Sequence, residues 1–143
     1  MSIDAQGPGP EARDGARLRL GTCPDSWGVW FADDPLQTPW TRFLDEVAEV
    51  GYQWLELGPF GYLPSDQARL TEELGRRGLS VAGGTVHGFS GLHRPGDWPD
   101  RGDLDRDLFV VVEQDMYPVD FDKPKPIAQR TYTYLRSVGI GEE

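Results

Sequence analysis

The chain has 143 residues and carries 14 Lys plus Arg against 24 Asp plus Glu, a formal net charge of −10. That length fits one domain, or somewhat less than one of the larger folds. The acidic balance repels phosphate backbones and anionic lipid, so neither nucleic acid nor a membrane surface is expected as a partner. No apolar run approaches the roughly 18 residues that a membrane span needs. The stretch from Met1 to Gly15 carries acids and no apolar centre, unlike a secretory signal. Cys23 is the only cysteine, which excludes an intramolecular disulfide framework and a Cys-rich structural zinc site. These features together predict a cytoplasmic protein.

The first segment, 1–17, contains Gly7-Pro8-Gly9-Pro10 and no apolar periodicity, and it reads as a mobile tail. Order is expected from Leu18-Arg19-Leu20-Gly21-Thr22-Cys23, a short strand pattern ended by Pro24. An acidic loop follows, Ala32-Asp33-Asp34-Pro35. Thr38-Pro39 reads as a helix cap followed by proline at the first helical position. Trp40, Phe43, Leu44, Val47 and Ala48 then fall on one helical face, and Gly51 supplies a left-handed stop. The same grammar repeats. A strand is expected over Gln53–Gly58, a helix over Asp66–Arg77 with Ser65 as its cap, Leu70 and Leu74 on its buried side and Gly78 closing it, and a third strand over Ser80–Val86. Strands alternating with helices predict parallel strands joined by crossovers, an α/β architecture.

From Gly88 to Asp107 this rhythm stops, because Gly, Pro, Asp and Arg dominate and no helical period is visible. A parallel neighbour needs a crossover of roughly a dozen residues or more, normally helical. Beyond the break, Leu108-Phe109-Val110-Val111-Val112-Glu113 is the strongest strand pattern in the chain, apolar on both faces. The last helix is expected from about Pro126 to Ser137, with Ile127, Tyr134, Leu135 and Val138 on one side and Gly139 at its end.

Polar groups at the carboxyl ends of parallel strands are the first candidates for chemistry, since α/β folds bind ligands there. Glu56 closes the second strand, His87 follows the third, and Glu113 ends the fourth ahead of Gln114 and Asp115. Side chains alternate along a strand, so Glu56 shares a face with Trp54, and Glu113 shares one with Val111 and Phe109. A carboxylate at the end of an apolar row needs a partner. A hard divalent cation such as Mg²⁺ or Mn²⁺ would serve, and so would an Arg or Lys at the strand end. His87 and His93 read more simply as solvated loop residues than as ligands. Asp25-Ser26 lacks a nucleophile-elbow pattern and is set aside as hydrolase chemistry. Cys23 beside Pro24 reads as a small buried residue, and Gly83-Gly84 matches no phosphate-binding fingerprint. Trp27, Trp30, Phe31, Phe60 and Tyr62 gather on the loops after the first two strands. They would make either an apolar wall for a sugar ring or ordinary loop packing.

Four strings, read in order, carry a resemblance. They are Gly21-Thr22-Cys23-Pro24-Asp25-Ser26-Trp27-Gly28, Trp54-Leu55-Glu56-Leu57-Gly58-Pro59-Phe60-Gly61-Tyr62-Leu63-Pro64, Gly83-Gly84-Thr85-Val86, and Val112-Glu113-Gln114-Asp115. The chain resembles the sugar phosphate isomerase/epimerase family, with its xylose-isomerase-like TIM barrel, and within it the branch that includes inosose dehydratases. The resemblance implies a partial (β/α)8 barrel. Residues 18–95 match strands one to three, 108–141 match the last strand and helix, and 96–107 form a linker where strands four to seven are missing. A complete barrel needs about 250 residues.

The resemblance implies a metal-dependent isomerase or epimerase of a sugar, sugar phosphate or cyclitol, with Mn²⁺ or Mg²⁺ as cofactor. A base removes a proton alpha to a carbonyl, and inosose dehydration shares that first step. Of the family's metal ligands only Glu113 has a counterpart here. Glu56 and Glu113 are the catalytic candidates, and Trp27, Glu56 and His87 the substrate-binding ones, although the family pattern has an apolar residue where His87 stands. The alternative is a catalytically incompetent remnant that acts as a binding or oligomerising module. An open four-stranded sheet exposes apolar edges and faces, so a homo-oligomer is expected.

Overall fold

Aliphatic runs long enough for single strands, separated by stretches of helical period, fold into one parallel sheet with helices between its strands. The computed structural model describes residues 18–84 and 108–140. The expected tail over 1–17 and linker over 96–107 lie outside the described residues. In chain order the elements are β1 (Leu18–Thr22), a 3-10 turn (Pro24–Trp27), α1 (Trp40–Val50), β2 (Trp54–Glu56), α2 (Gln67–Gly75), β3 (Ser80–Gly83), β4 (Leu108–Val112) and α3 (Pro124–Ser137). The sheet order is β3-β2-β1-β4, and every neighbouring pair is parallel. The α/β architecture expected from the sequence is therefore present. No helix among the described residues is long and apolar enough to cross a membrane.

The three described helices lie on one face of the sheet. A single apolar cluster takes Leu20 from β1, Leu55 from β2, Phe43, Leu44, Val47 and Val50 from α1, Leu74 from α2 and Ala128 from α3. Val110 and Val112 of β4 pack against the same cluster. The opposite face follows from strand alternation and register. Arg19 pairs with Phe109, and Gly21 pairs with both Trp54 and Val111, so these residues project together away from the helices. Trp54 and Phe109 meet edge to face with ring centroids 5.0 Å apart, and the Arg19 guanidinium lies 4.7 Å from the Trp54 ring centre. Gly21 makes room for this arrangement, because a Cβ there would come within 3.1 Å of the Trp54 carbonyl oxygen. Helices on one face and an aromatic row on the other are what one arc of an α/β barrel presents.

Several local expectations shift by a residue or two, each for a visible reason. Thr38 does not cap α1; its hydroxyl donates instead to the Trp27 carbonyl at 2.7 Å, and Pro39 occupies the cap position. Asp66, not Ser65, caps α2, its Oδ1 accepting from the Arg69 amide at 2.8 Å. In α3 the helix begins at Pro124, where a missing amide hydrogen costs nothing. Its inward residues are Pro124, Ala128, Tyr132 and Leu135. Tyr134 and Val138, expected inside, are exposed. Ala128 is buried in the shared core, with Tyr132 and Leu135 packed against it.

Two loops at the carboxyl end of the sheet are locked together by a glycine. Gly58, which leaves β2, has a positive φ of 67°, and a Cβ there would stand 2.6 Å from Pro24 Cγ. Gly78 also has a positive φ, 66°, but with open space around it. Gly78→Ala is expected to cost about 1–2 kcal/mol from backbone strain alone. Gly58→Ala should cost more, because Pro24 must also move. Equal urea midpoints for the two variants would contradict this.

Candidate functional site

The parallel strands end together, and three of the segments leaving them bring carboxylates to one rim. Asp25 lies in the 3-10 turn after β1, Glu56 is the last residue of β2, and Glu113 directly follows β4. The strand-end position anticipated for Glu56 and Glu113 is thus the one they occupy, and β4 runs parallel to its neighbour as required. The charge of Glu113 acts on both of the others. Burial pushes the Glu56 carboxyl above its ordinary value, and the charges of Glu113 and Asp25 push it further. Asp25 is raised likewise, first by burial and then by Glu113 and Asp115.

Ser26 positions Glu113. Its hydroxyl donates to the Val112 carbonyl at 3.1 Å and accepts from the Gln114 amide at 3.0 Å, gripping the backbone on both sides of Glu113. The same carbonyl accepts from Thr22 Oγ1 at 3.2 Å and from the Cys23 thiol at 3.4 Å. Ser26 is buried, and its proton is committed, so it is no nucleophile. Cys23 is buried as anticipated, and desolvation is the main force pushing its thiol up to about 11, an inert state. Ser26→Ala leaves the Gln114 amide without this acceptor and is expected to lower stability by about 1–3 kcal/mol. A change below a few tenths in a urea titration would show that the clasp does not hold β4.

Trp27 is corrected by the structure. It was expected to line the substrate mouth, but its side chain is fully buried. The indole Nε1 donates to Glu46 Oε2 at 2.9 Å, and the ring meets Phe43 edge-on at 5.3 Å. Glu46 in turn accepts from Arg42 Nε at 2.8 Å, and Arg42 Nη2 donates to the Phe121 carbonyl at 2.5 Å. Trp27 therefore anchors the rim loops to α1 and offers no surface to a ligand. Tyr62 is also a core residue, its hydroxyl donating to the Thr38 carbonyl at 2.8 Å. Trp30, Phe31 and Phe60 remain exposed, Phe60 at 88%. Phe60 helps to line an apolar cleft of about 350 Å³ with Leu57, Leu63, Pro64 and Leu70 beside the end of β2. His87 and His93 lie outside the described residues.

Asp25, which the sequence presents as half of an Asp-Ser pair, follows a strand end just as Glu56 and Glu113 do, and that position is the signal for it.

A carboxylate rim attracts cations, but the described residues do not complete a metal cage. No group of three or more His, Cys, Asp or Glu among them is placed to hold one ion. Glu113, expected to be a ligand of Mn²⁺ or Mg²⁺, stands in an electrostatic cluster and not in a described coordination set. Comparison with family models, characterised proteins and solved structures finds no match for this chain.

Proposed function

We propose that the rim binds a carbonyl-bearing sugar, sugar phosphate or cyclitol, and that Glu56 removes the proton alpha to the carbonyl. This is the chemistry of the sugar phosphate isomerase/epimerase family that the sequence resembles. The observation that carries the reading is the meeting of Asp25, Glu56 and Glu113, from three separate segments, at the carboxyl end of a parallel sheet. Glu56 suits the role of base because burial and two neighbouring charges raise its proton affinity. In the step, the Cα–H bond breaks and its proton passes to a Glu56 oxygen. The electron pair forms the C=C bond of an enediolate, leaving the charge on the former carbonyl oxygen. Passage of the adjacent hydroxyl's proton to the charged oxygen, with protonation of the former carbonyl carbon, gives isomerisation, and reprotonation of the original carbon on its opposite face gives epimerisation. Exposed Phe60, on the loop that leaves β2, adds apolar surface of the kind that carbohydrate C–H faces pack on.

The test is deuterium incorporation. Ketoses, aldose phosphates and inososes are incubated with the protein in D₂O, and the alpha proton is followed by NMR. Exchange that disappears in Glu56→Gln supports the reading. A second reading, a catalytically silent remnant that binds or self-associates, is favoured by the Trp54–Phe109 face, against which no described helix packs. Absence of exchange with every probe decides for it.

A further inference from the structure

We infer that Arg42 is a positioning residue for the rim: it fixes the far end of the loop that begins at Glu113 and so keeps that carboxylate at the rim with Glu56. Only its kinetic consequence rests on the reaction proposed above.

Segment 113–123 contains no helix and no strand, so no backbone ladder sets its path. Side chains from the segment after β1 and from α1 hold it instead. At its start, Ser26 donates to the Val112 carbonyl and accepts from the Gln114 amide. In its middle, the Tyr117 hydroxyl donates to Asp34 Oδ2 at 3.2 Å, and the Tyr117 ring meets Phe31 edge-on at 5.5 Å. Gly28, with a positive φ of 74°, faces the same stretch so closely that a Cβ there would stand 2.6 Å from Val119 Cγ1. At its end, Arg42 Nη2 donates to the Phe121 carbonyl at 2.5 Å, and the guanidinium lies 5.9 Å from the Phe121 ring centre.

The fastenings at the two ends lead back to one place. Arg42 Nε donates to Glu46 Oε1 at 2.8 Å, and Glu46 Oε2 accepts from the Trp27 indole at 2.9 Å. Trp27 is the chain neighbour of Ser26. The contacts therefore run in a ring, from Ser26 to Gln114, along the loop to Phe121, through Arg42 and Glu46 to Trp27, and back to Ser26. Arg42 joins two acceptors from one rigid guanidinium plane, a geometry that the compact ammonium of lysine does not reproduce. Without it the loop keeps its near fastening and loses its far one, and Glu113, already exposed, is free to turn further toward water. The Glu113 charge is one of the two that raise the proton affinity of Glu56, so a displaced Glu113 leaves Glu56 a weaker base.

Carbon-13 NMR titration of the Glu56 carboxyl in Arg42→Gln and Arg42→Lys tests this without any substrate. Both variants should bring the Glu56 transition down toward the ordinary glutamate range, although Arg42→Lys keeps the charge. The sign decides the matter, because loss of a positive charge by itself raises a carboxylate's proton affinity. A transition that rises in Arg42→Gln and stays put in Arg42→Lys overturns the inference, as does one unmoved in both. Arg76→Gln, on the surface beyond α2, should leave the transition where it is, and an equal fall there would overturn the inference too. Amide exchange on the unmodified chain gives a second measurement that needs no variant. The amides of Gln114 and Lys123, at the two ends of the loop, should be protected to a similar degree. An unprotected Lys123 amide beside a protected Gln114 would show the far end loose and overturn the inference. Where the chain exchanges the alpha proton, Arg42→Lys should lower kcat about 10–100-fold at nearly constant KM and move the acid limb of the kcat profile to lower pH. An unchanged kcat contradicts the role. If no probe exchanges with the unmodified chain, the proposed reaction fails, and the titration still decides the place of Arg42.

Discussion

Phe43→Ala is expected to cost about 3–5 kcal/mol, a large part of the roughly 5–15 kcal/mol that holds a domain of this size together. Phe43 has no exposed surface, and its ring meets Trp27 at 5.3 Å and Tyr62 at 6.0 Å. It therefore joins α1 to both rim loops, and the cavity left by its removal borders the indole that Glu46 holds in place. Among the described residues the helices pack on one face of the sheet, and Phe43 sits in the single apolar cluster they share with it. The expected signature is a urea midpoint shifted far toward zero and a collapsed near-UV signal from Trp27. Phe60→Ala, at an exposed ring, should change stability by less than about 0.5 kcal/mol. Comparable losses for the two variants would mean that Phe43 is not at the centre of the core.

Glu56→Gln is expected to slow alpha-proton exchange about 10²–10⁴-fold, with the loss in kcat. Glutamine keeps the size of the side chain but accepts no proton at neutral pH. Stability separates this effect from damage to the fold. Because the folded state raises the Glu56 carboxyl, folding binds a proton more tightly than the unfolded chain does, and stability falls as pH rises from the ordinary glutamate range through the raised value. Removing the carboxylate should therefore stabilise the chain at neutral pH and make no difference well below the carboxylate range. Lost exchange with equal or greater stability marks Glu56 as the base. A variant that loses stability in step with exchange, or that changes only KM, contradicts that role.

Local periodicity made much of the sheet and helices readable. The spacing of Phe43, Leu44 and Val47 turns one face of α1 inward whatever its neighbours do, and Gly51 ends the helix because its φ of 109° suits glycine. The strand-end position of Glu56 and Glu113 was readable for the same reason, since a parallel sheet collects the ends of its strands. What could not be read depends on partners distant in sequence. Trp27 is a core residue because Glu46 accepts its indole hydrogen, and nothing adjacent to Trp27 announces that acceptor. Ser26 orients Glu113 through Val112 and Gln114, more than eighty residues away. In α3 it is Ala128 that is buried while the larger Tyr134 is exposed, so side-chain size is a misleading guide to the inward face. Asp25 is obscured in the sequence by its own neighbour, because Asp-Ser reads as half of a hydrolase pair although the residue follows a strand end.

The gathering of three carboxylates on one rim is the claim on which the chemistry depends, and carbon-13 NMR titration of the Glu56 carboxyl tests it most directly. In the unmodified chain Glu56 should titrate above the ordinary glutamate range and share its transition with Asp25. Glu113→Gln and Asp25→Asn should each bring it down. A Glu56 that titrates as an ordinary surface glutamate and ignores both substitutions would show that the acids do not share a site.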